Sequence, residues 1–327
     1  MWGGVCAFPP HMGYNDPTNA PNVTRQLSEG EGTVYQKARR KLVIPFLLPA
    51  FLVYTVFEIV PLVLTVSYST TNWTGHTLER PFIGLNNYLL MILDLQFANA
   101  VRNTAIFAIS GALILFIPSL FISWALTQRV KARAVYRYII IAPVVLSVVV
   151  VGLLWKLLYN PVFGPINNLL KAVGLGAFAL PWLGDTRTAL LAVVVATVWQ
   201  QLGMWVLLIS AGLERIPPEI LEAARVDGAN EWQTFWKVTM PLLWGVLRLL
   251  FILWIILSLQ VFAQVWVMTP HGGAARSTDV MATLIYERAF GGYQWGLACA
   301  MATFLLIVIF SLSLITNRLT KREVIEY

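Results

Sequence analysis

Six stretches of this chain are apolar for about the length a lipid bilayer demands, and that pattern restricts the fold more than anything else in the sequence. A bilayer core roughly 30 Å thick needs about 20 apolar residues in a helix, and only helices or closed barrels satisfy their backbone hydrogen bonds in hydrocarbon. The runs lie at about 42–68, 101–127, 138–159, 188–211, 242–269 and 295–316. They are continuous rather than alternating, which selects helices. Composition agrees: 12% of the residues are charged and the mean hydropathy is +0.70, whereas soluble domains carry about 25% charge. The prediction is an all-α, polytopic membrane protein with six transmembrane helices.

The net charge of +7 could suggest a nucleic-acid partner, but its placement speaks for topology instead. Most of the 23 lysines and arginines fall on one side of the six-span arrangement. That side holds Arg25, Lys37, Arg39, Arg40 and Lys41 before the first run, then Arg129, Lys131, Arg133 and Arg137 after the second. Arg215, Arg225 and Lys237 follow between the fourth and fifth, and Arg318, Lys321 and Arg322 at the end. The other side holds Arg80, Lys171, Arg187, Arg276 and Arg288. The positive-inside rule then puts both termini in the cytoplasm. Residues 1–36 are rich in Pro, Asn, Gly and Thr and contain no apolar run, so they read as a flexible cytoplasmic tail rather than a signal peptide, ahead of a membrane domain at 37–327. Glu58 is an acid inside the first run; beside Pro61 and near the outer interface it suits headgroups or a neighbouring helix.

Chemistry sites are sparse. Cys6 and Cys299 have no paired spacing, and His11, His76 and His271 are remote from one another, so neither a disulfide framework nor a metal site is expected. There is no phosphate-binding GxxxxGK[ST] loop and no HExxH or GxSxG, so neither a cofactor nor an enzymatic activity is predicted.

The polar segment 213–241 stands apart, with an apolar run on each side. Pro217 and Pro218 suit a first helical turn, Glu219 and Glu222 sit near its positive end, and Gly228 suits a left-handed C-terminal turn. Asn230 and Gln233 have capping-box spacing for a second short helix running to Pro241. Ala223 and Ala224 offer a small-residue face on which another protein can sit closely. This is the pattern of a docking element.

Glu222-Ala223-Ala224, then Gly228, then Val238-Thr239-Met240-Pro241 is similar to the EAA loop of bacterial ABC importer permeases, with Val238 and Met240 in place of the usual Ile and Leu. Phe82, Gly84, Asn87 and Tyr88, the stretch 142–167, and 260–278 resemble the carbohydrate permeases of the larger maltose-subunit type. Gln264 stands where that family usually has Asp, and Ala274 where it has Pro after the Gly pair. The resemblance implies a subunit of the bacterial plasma (inner) membrane, coupled through Glu222, Ala223, Ala224, Asp227, Gly228 and Pro241 to a separate ABC ATPase dimer. It also implies a second homologous permease, an extracytoplasmic solute-binding protein and a sugar substrate. Trp199, Gln200, Gln260 and Gln264 are the candidate path residues, since uncharged amides in hydrocarbon must be paired or face a cavity. Interhelical hydrogen bonding is the competing role for these four. A glycerol phosphate permease is the alternative within this class, and it requires a cation in the cavity. A channel or receptor without an ATPase is the alternative outside it.

Overall fold

A computed structural model describes residues 45–127 and 131–320. The expected tail, with Cys6, His11 and Lys37–Lys41, lies outside the described residues, as do Arg129, Lys321 and Arg322. The fold is all-α: among the described residues the sole β-type pairing is an isolated antiparallel bridge between Thr71 and Phe82. Among the described residues, five helices are long and apolar enough to cross a membrane, or six if one bent pair forms a single span.

The chain divides between Val63 and Leu64 into two compact units. The described part of the first belongs to α1 (Pro45–Tyr68), none of whose side chains is buried. Within α1 the turn Thr55–Ile59 is widened, with the Val60 N–H donating to the Thr55 carbonyl, five residues back rather than four. Pro61 follows immediately. Proline lacks the N–H that would continue the ladder, and its ring crowds the carbonyl four residues earlier, so a wider turn relieves the strain. Glu58 sits exposed in this turn.

After the last residues of α1, the second unit continues through a loop and α2 (Asn86–Leu93) to α3 (Leu95–Thr127), which starts six residues earlier than the apolar run, with Phe97 and Ala100 buried in the added turns. The expected helix over 138–159 is in fact two. Helix α4 (Arg133–Ile141) tightens into the 3-10 turn Ala142–Val145, and α5 (Val148–Leu158) leaves at 102°. Pro143 removes a donor inside the first piece, and the Ser147 hydroxyl caps the second by accepting from the Val150 N–H at 3.3 Å. Helices α6 (Pro165–Ala172), α7 (Ala189–Leu213) and α8 (Pro218–Val226) follow. Next come α9 (Glu231–Leu259), α10 (Ala263–Met268), α11 (Met281–Tyr286) and α12 (Trp295–Leu319). The span expected over 242–269 therefore begins inside the polar loop and stops ten residues short.

Helix α7 is the axle of this unit, with Trp205, Ile209, Val193 and Val194 all buried against Phe107 and Leu115 of α3 and Leu243 and Leu250 of α9. Lipid tails are as apolar as leucine, so helices in a bilayer hold together by close packing and interhelical hydrogen bonds rather than by leaving water. Gly203 shows the first: a Cβ there would lie 2.3 Å from the Ile140 carbonyl oxygen. The second appears where the Trp254 indole donates to the Ala108 carbonyl at 2.8 Å and the Ser123 hydroxyl to the Val206 carbonyl at 3.0 Å. A smaller cluster of Met91, Phe97, Ala100, Met281, Leu284 and Met301 ties α2, α3, α11 and α12 together.

Candidate functional site

The polar loop folds as its capping residues dictate. Pro218 opens α8, and the helix closes in a Schellman arrangement around Gly228, whose φ of +85° is left-handed. There the Ala229 N–H donates to the Ala224 carbonyl at 3.0 Å and the Gly228 N–H to the Arg225 carbonyl at 3.0 Å. Two residues on, the Gln233 N–H donates to Asn230 Oδ1 at 2.8 Å while the Asn230 N–H donates to Gln233 Oε1 at 3.0 Å, the reciprocal box read from the sequence. An ion pair from Arg225 to Glu231 at 3.0 Å spans the turn. Leu221 packs on the main core, whereas Glu222, Ala223, Val226, Asp227 and Gly228 are exposed. Hence α8 is anchored by one apolar side and leaves the other exposed.

Pro241 acts on the far side of the loop. The turn Phe235–Thr239 is widened like that before Pro61, with the Met240 N–H donating to the Phe235 carbonyl. The helix that begins at the capping box can thus pass through the proline and continue into the bilayer-length span α9. Sequence reading treated Pro241 as the end of a short helix; the structure makes it a point of passage. Sequence reading also missed Glu214, which follows α7 and accepts from Arg133 at 2.6 Å and Arg137 at 2.9 Å. This clasp joins the base of α4 to the entrance of the loop, and its only sequence signal was a basic cluster facing a lone acid.

A second set of polar residues gathers where α9 breaks. Gln260 leaves helical geometry after Leu259, and Phe262, with φ of −131° and ψ of −61°, separates it from α10. Beside the break lies a cavity of about 300 Å³ whose polar lining is Thr197, Gln201, Ser258, Gln260 and Gln264, with Phe107, Trp254 and Phe262 among its apolar walls. Gln260 faces this space. Gln264 lines it and also donates to Gln200 Oε1 at 2.7 Å, and Gln200 in turn donates to the Leu146 carbonyl at 2.8 Å. Two buried amides therefore bridge the break in α9–α10 to the break in α4–α5, and the Leu146 carbonyl, freed where α4 ends, receives its hydrogen bond from α7. Trp199 is half-buried with its ring edge-on to Trp155 at 5.8 Å and does not line the cavity. Gln201, which sequence reading passed over, does.

Beyond the break the chain runs through a constrained loop. His271, Ala275 and Arg276 adopt positive φ, as do Gly272 and Gly273. At Gly272 a Cβ would come within 2.9 Å of Asp279. Arg276 donates to Asp279 at 2.9 Å and to Glu287 at 2.6 Å, and His271 Nδ1 lies 3.0 Å from the other oxygen of Glu287. The hydrogen bond with Glu287 raises the Arg276 guanidinium above its ordinary pKa against a lesser opposing effect of burial. Burial pushes Asp279 up despite its bonds from Thr283 and Arg276. Burial also acts upward on Glu287, but the hydrogen bonds from Arg276 and His271 outweigh it and hold that carboxyl below its usual value. Among the described residues no group of three or more His, Cys, Asp or Glu is placed to hold a metal ion.

Bilayer-length helices, with a short polar helix anchored on the core and a polar cavity at a helix break, are the architecture of a membrane transport protein. Residues 122–324 match the family described as the binding-protein-dependent transport system inner membrane component, and the chain belongs to that family. It is a membrane permease component and not an enzyme. The probable ABC transporter permease protein YurN of Bacillus subtilis is 33% identical over 278 residues, covering 84% of this chain and 94% of that relative. The multiple sugar-binding transport system permease protein MsmF of Streptococcus mutans is 32% identical over 277 residues, covering 85% and 94%. Among solved structures, a bacterial alginate ABC transporter in complex with alginate pentasaccharide-bound periplasmic protein aligns with a TM-score of 0.77 at 21% identity. That alignment covers 89% of this chain and 98% of its counterpart, and at this identity it speaks to fold.

Proposed function

We propose that this chain is one half of the translocation pathway of an ATP-driven sugar importer, with both termini and the loop at 213–241 on the cytoplasmic side. The observation that carries this reading is α8. It is a helix too short to be stable alone in water, held on the core by Leu221, and it turns Glu222, Ala223 and Val226 outward. An ABC ATPase subunit would receive that face, with Glu222 as the principal contact and Gly228 fixing the turn. A second homologous permease would complete the cavity, and an extracytoplasmic solute-binding protein would deliver sugar from the side of the loop at 269–280. Sugar as cargo is supported by the uncharged amides and hydroxyls around the break: Gln201, Gln260, Thr197 and Ser258 supply donors and acceptors for hydroxyl groups without a fixed charge. A glycerol phosphate cargo fits less well, because no lysine or arginine lines that cavity and Arg248 is engaged with Asn317. Gln264 and Gln200 are assigned a bracing role, Gln260 and Gln201 a solvating one, and Trp199 a supporting one.

The test is uptake of radiolabelled oligosaccharides by cells carrying the intact transporter or Glu222→Lys, with the ATPase followed by pull-down. Loss of uptake together with release of the ATPase is expected. Unchanged uptake in the variant would leave the loop without a coupling role and bring forward a channel or receptor that needs no ATPase.

A further inference from the structure

A second cavity, of about 510 Å³, opens beyond the helix break, where Gln96 at the start of α3 meets the end of α10, the loop after it, and the turn Glu287–Gly291. Its walls are of two kinds. Trp266, Tyr286 and Phe290 present aromatic rings, the last two 39% and 53% exposed. Gln96, His271, Arg276, Glu287 and Arg288 supply polar edges.

Both guanidinium groups of this cavity are already paired. Arg276 is held by Asp279 and Glu287, and Arg288 by Asp94 at 2.5 Å and Gln96 at 2.9 Å. The rings also lead somewhere. Tyr286 lies 5.0 Å from Trp266, Trp266 stacks on Phe262 at 5.6 Å, and Tyr286 lies 5.3 Å from Phe262, which itself lines the cavity at the break. Aromatic rings thus run in contact from one cavity to the other.

From this juxtaposition we infer that the outer cavity is an entry subsite for a neutral saccharide, which meets the rings of Trp266, Tyr286 and Phe290 and the polar edge at Arg288 and His271 before reaching the helix break. A pyranose has the matching chemistry, with an apolar C–H face for the rings and hydroxyls around its edge. A purely apolar ligand would leave the polar edge unused. An anion would have to draw Arg276 or Arg288 away from carboxylates that already hold them. The inference rests on the sugar-importer reading above and adds to it a second site and a preference for uncharged sugar.

The experiment uses the complete transporter in proteoliposomes with its ATPase and binding protein. The probes are radiolabelled malto-, xylo- and chito-oligosaccharides, with an alginate tetrasaccharide as the acidic counterpart. Phe290→Ala and Tyr286→Leu should raise the apparent KM for the neutral sugar about threefold to tenfold, the range expected for losing one aromatic contact, with a smaller change in kcat. Tyr286→Phe, which keeps the ring, should stay close to wild type. A wild-type transporter that carries neutral sugar while Phe290→Ala and Tyr286→Leu leave KM unchanged would overturn the subsite alone. Transport confined to the alginate probe would overturn the preference for neutral sugar. Transport of none of these probes would remove the importer reading and the subsite with it.

Discussion

Replacing Gln264 with methionine keeps the length and unbranched shape of the side chain but deletes the donor that reaches Gln200 Oε1 at 2.7 Å. Both residues are nearly inaccessible from outside, at 6% and 5% exposure, so the abandoned oxygen is left buried without its donor. Leaving such an acceptor unpaired costs about 1–3 kcal/mol in proteins generally, while interhelical side-chain hydrogen bonds in membrane proteins average roughly 0.6 kcal/mol and reach about 1.7. The expected loss for Gln264→Met is therefore about 1–2 kcal/mol, a fall in midpoint of roughly 2–8 °C for a unit of this size. Gln200→Met should cost at least as much, because it also strips the Leu146 carbonyl of its donor at 2.8 Å. The double variant should lose less than the sum, with a coupling of about 0.5–1.5 kcal/mol. Thermal unfolding of the detergent-purified protein, followed by size-exclusion recovery after heating, measures all three; uptake is measured alongside. Additive losses would refute the brace. Unchanged stability in Gln264→Met with abolished uptake would refute it more pointedly, since the amide would then be serving the cargo and not its neighbour.

Two further outcomes follow from the same geometry. Gly203→Ala puts a methyl 2.3 Å from the Ile140 carbonyl oxygen and 2.8 Å from Ile141 Cα, both backbone atoms with no rotamer to yield. A loss of about 1–3 kcal/mol is expected from such overpacking. Gly245→Ala, a helical glycine with open space around its Cβ position, should instead be neutral or gain up to about 1 kcal/mol, and reversal of that order in thermal unfolding would count against the close approach of α7 and α4. At the constrained loop, the carboxyl of Glu287 is held below its ordinary value, so its contribution is complete above the ordinary carboxylate pKa of about 4.3 and is lost as pH falls through the lowered native value. Amide exchange in 270–290 should accordingly stay slow down to roughly pH 4 in the wild type, whereas Glu287→Gln should exchange faster already at pH 7; equal protection in the two at pH 7 would sink the idea.

The parts of the chain that were legible from sequence are those governed by local chemistry. Pro218, Gly228, Asn230 and Gln233 act within a few residues of themselves, and each does in the structure what its type demands. The breaks were hidden for the opposite reason. An apolar run such as 138–159 keeps the same hydropathy whether its axis is straight or turns by 102°, and only Pro143 and Ser147 marked the corner. Leu259 and Gln260 likewise sit in a run that reads unbroken to Thr269. Adjacent amides posed a finer problem: Gln200 and Gln201 differ by about 100° around α7, so one braces and the other faces the cavity, and composition cannot tell which. Glu214 and its two arginines are separated by 81 and 77 positions and meet only because α4 packs beside α7.

The helix that starts at the Asn230 box and ends beside Gln260 spans 29 residues without interruption. At 1.5 Å per residue it is a rod of roughly 44 Å, with the widened turn before Pro241 close to one end and the polar cavity at the other. A rod does not absorb a push; it relays it with gain set by its length. If an ATPase tilts the loop end by only about 5°, the tip at Leu259 sweeps about 4 Å, comparable to the width of the hydrogen-bonded gap between two side chains and enough to part Gln264 from Gln200. On the proposed coupling, the stroke would be set by the number of residues between a capping asparagine and a broken turn. An insertion that lengthened this rod by a single residue would leave every capping contact intact and still deliver the motion 100° out of phase.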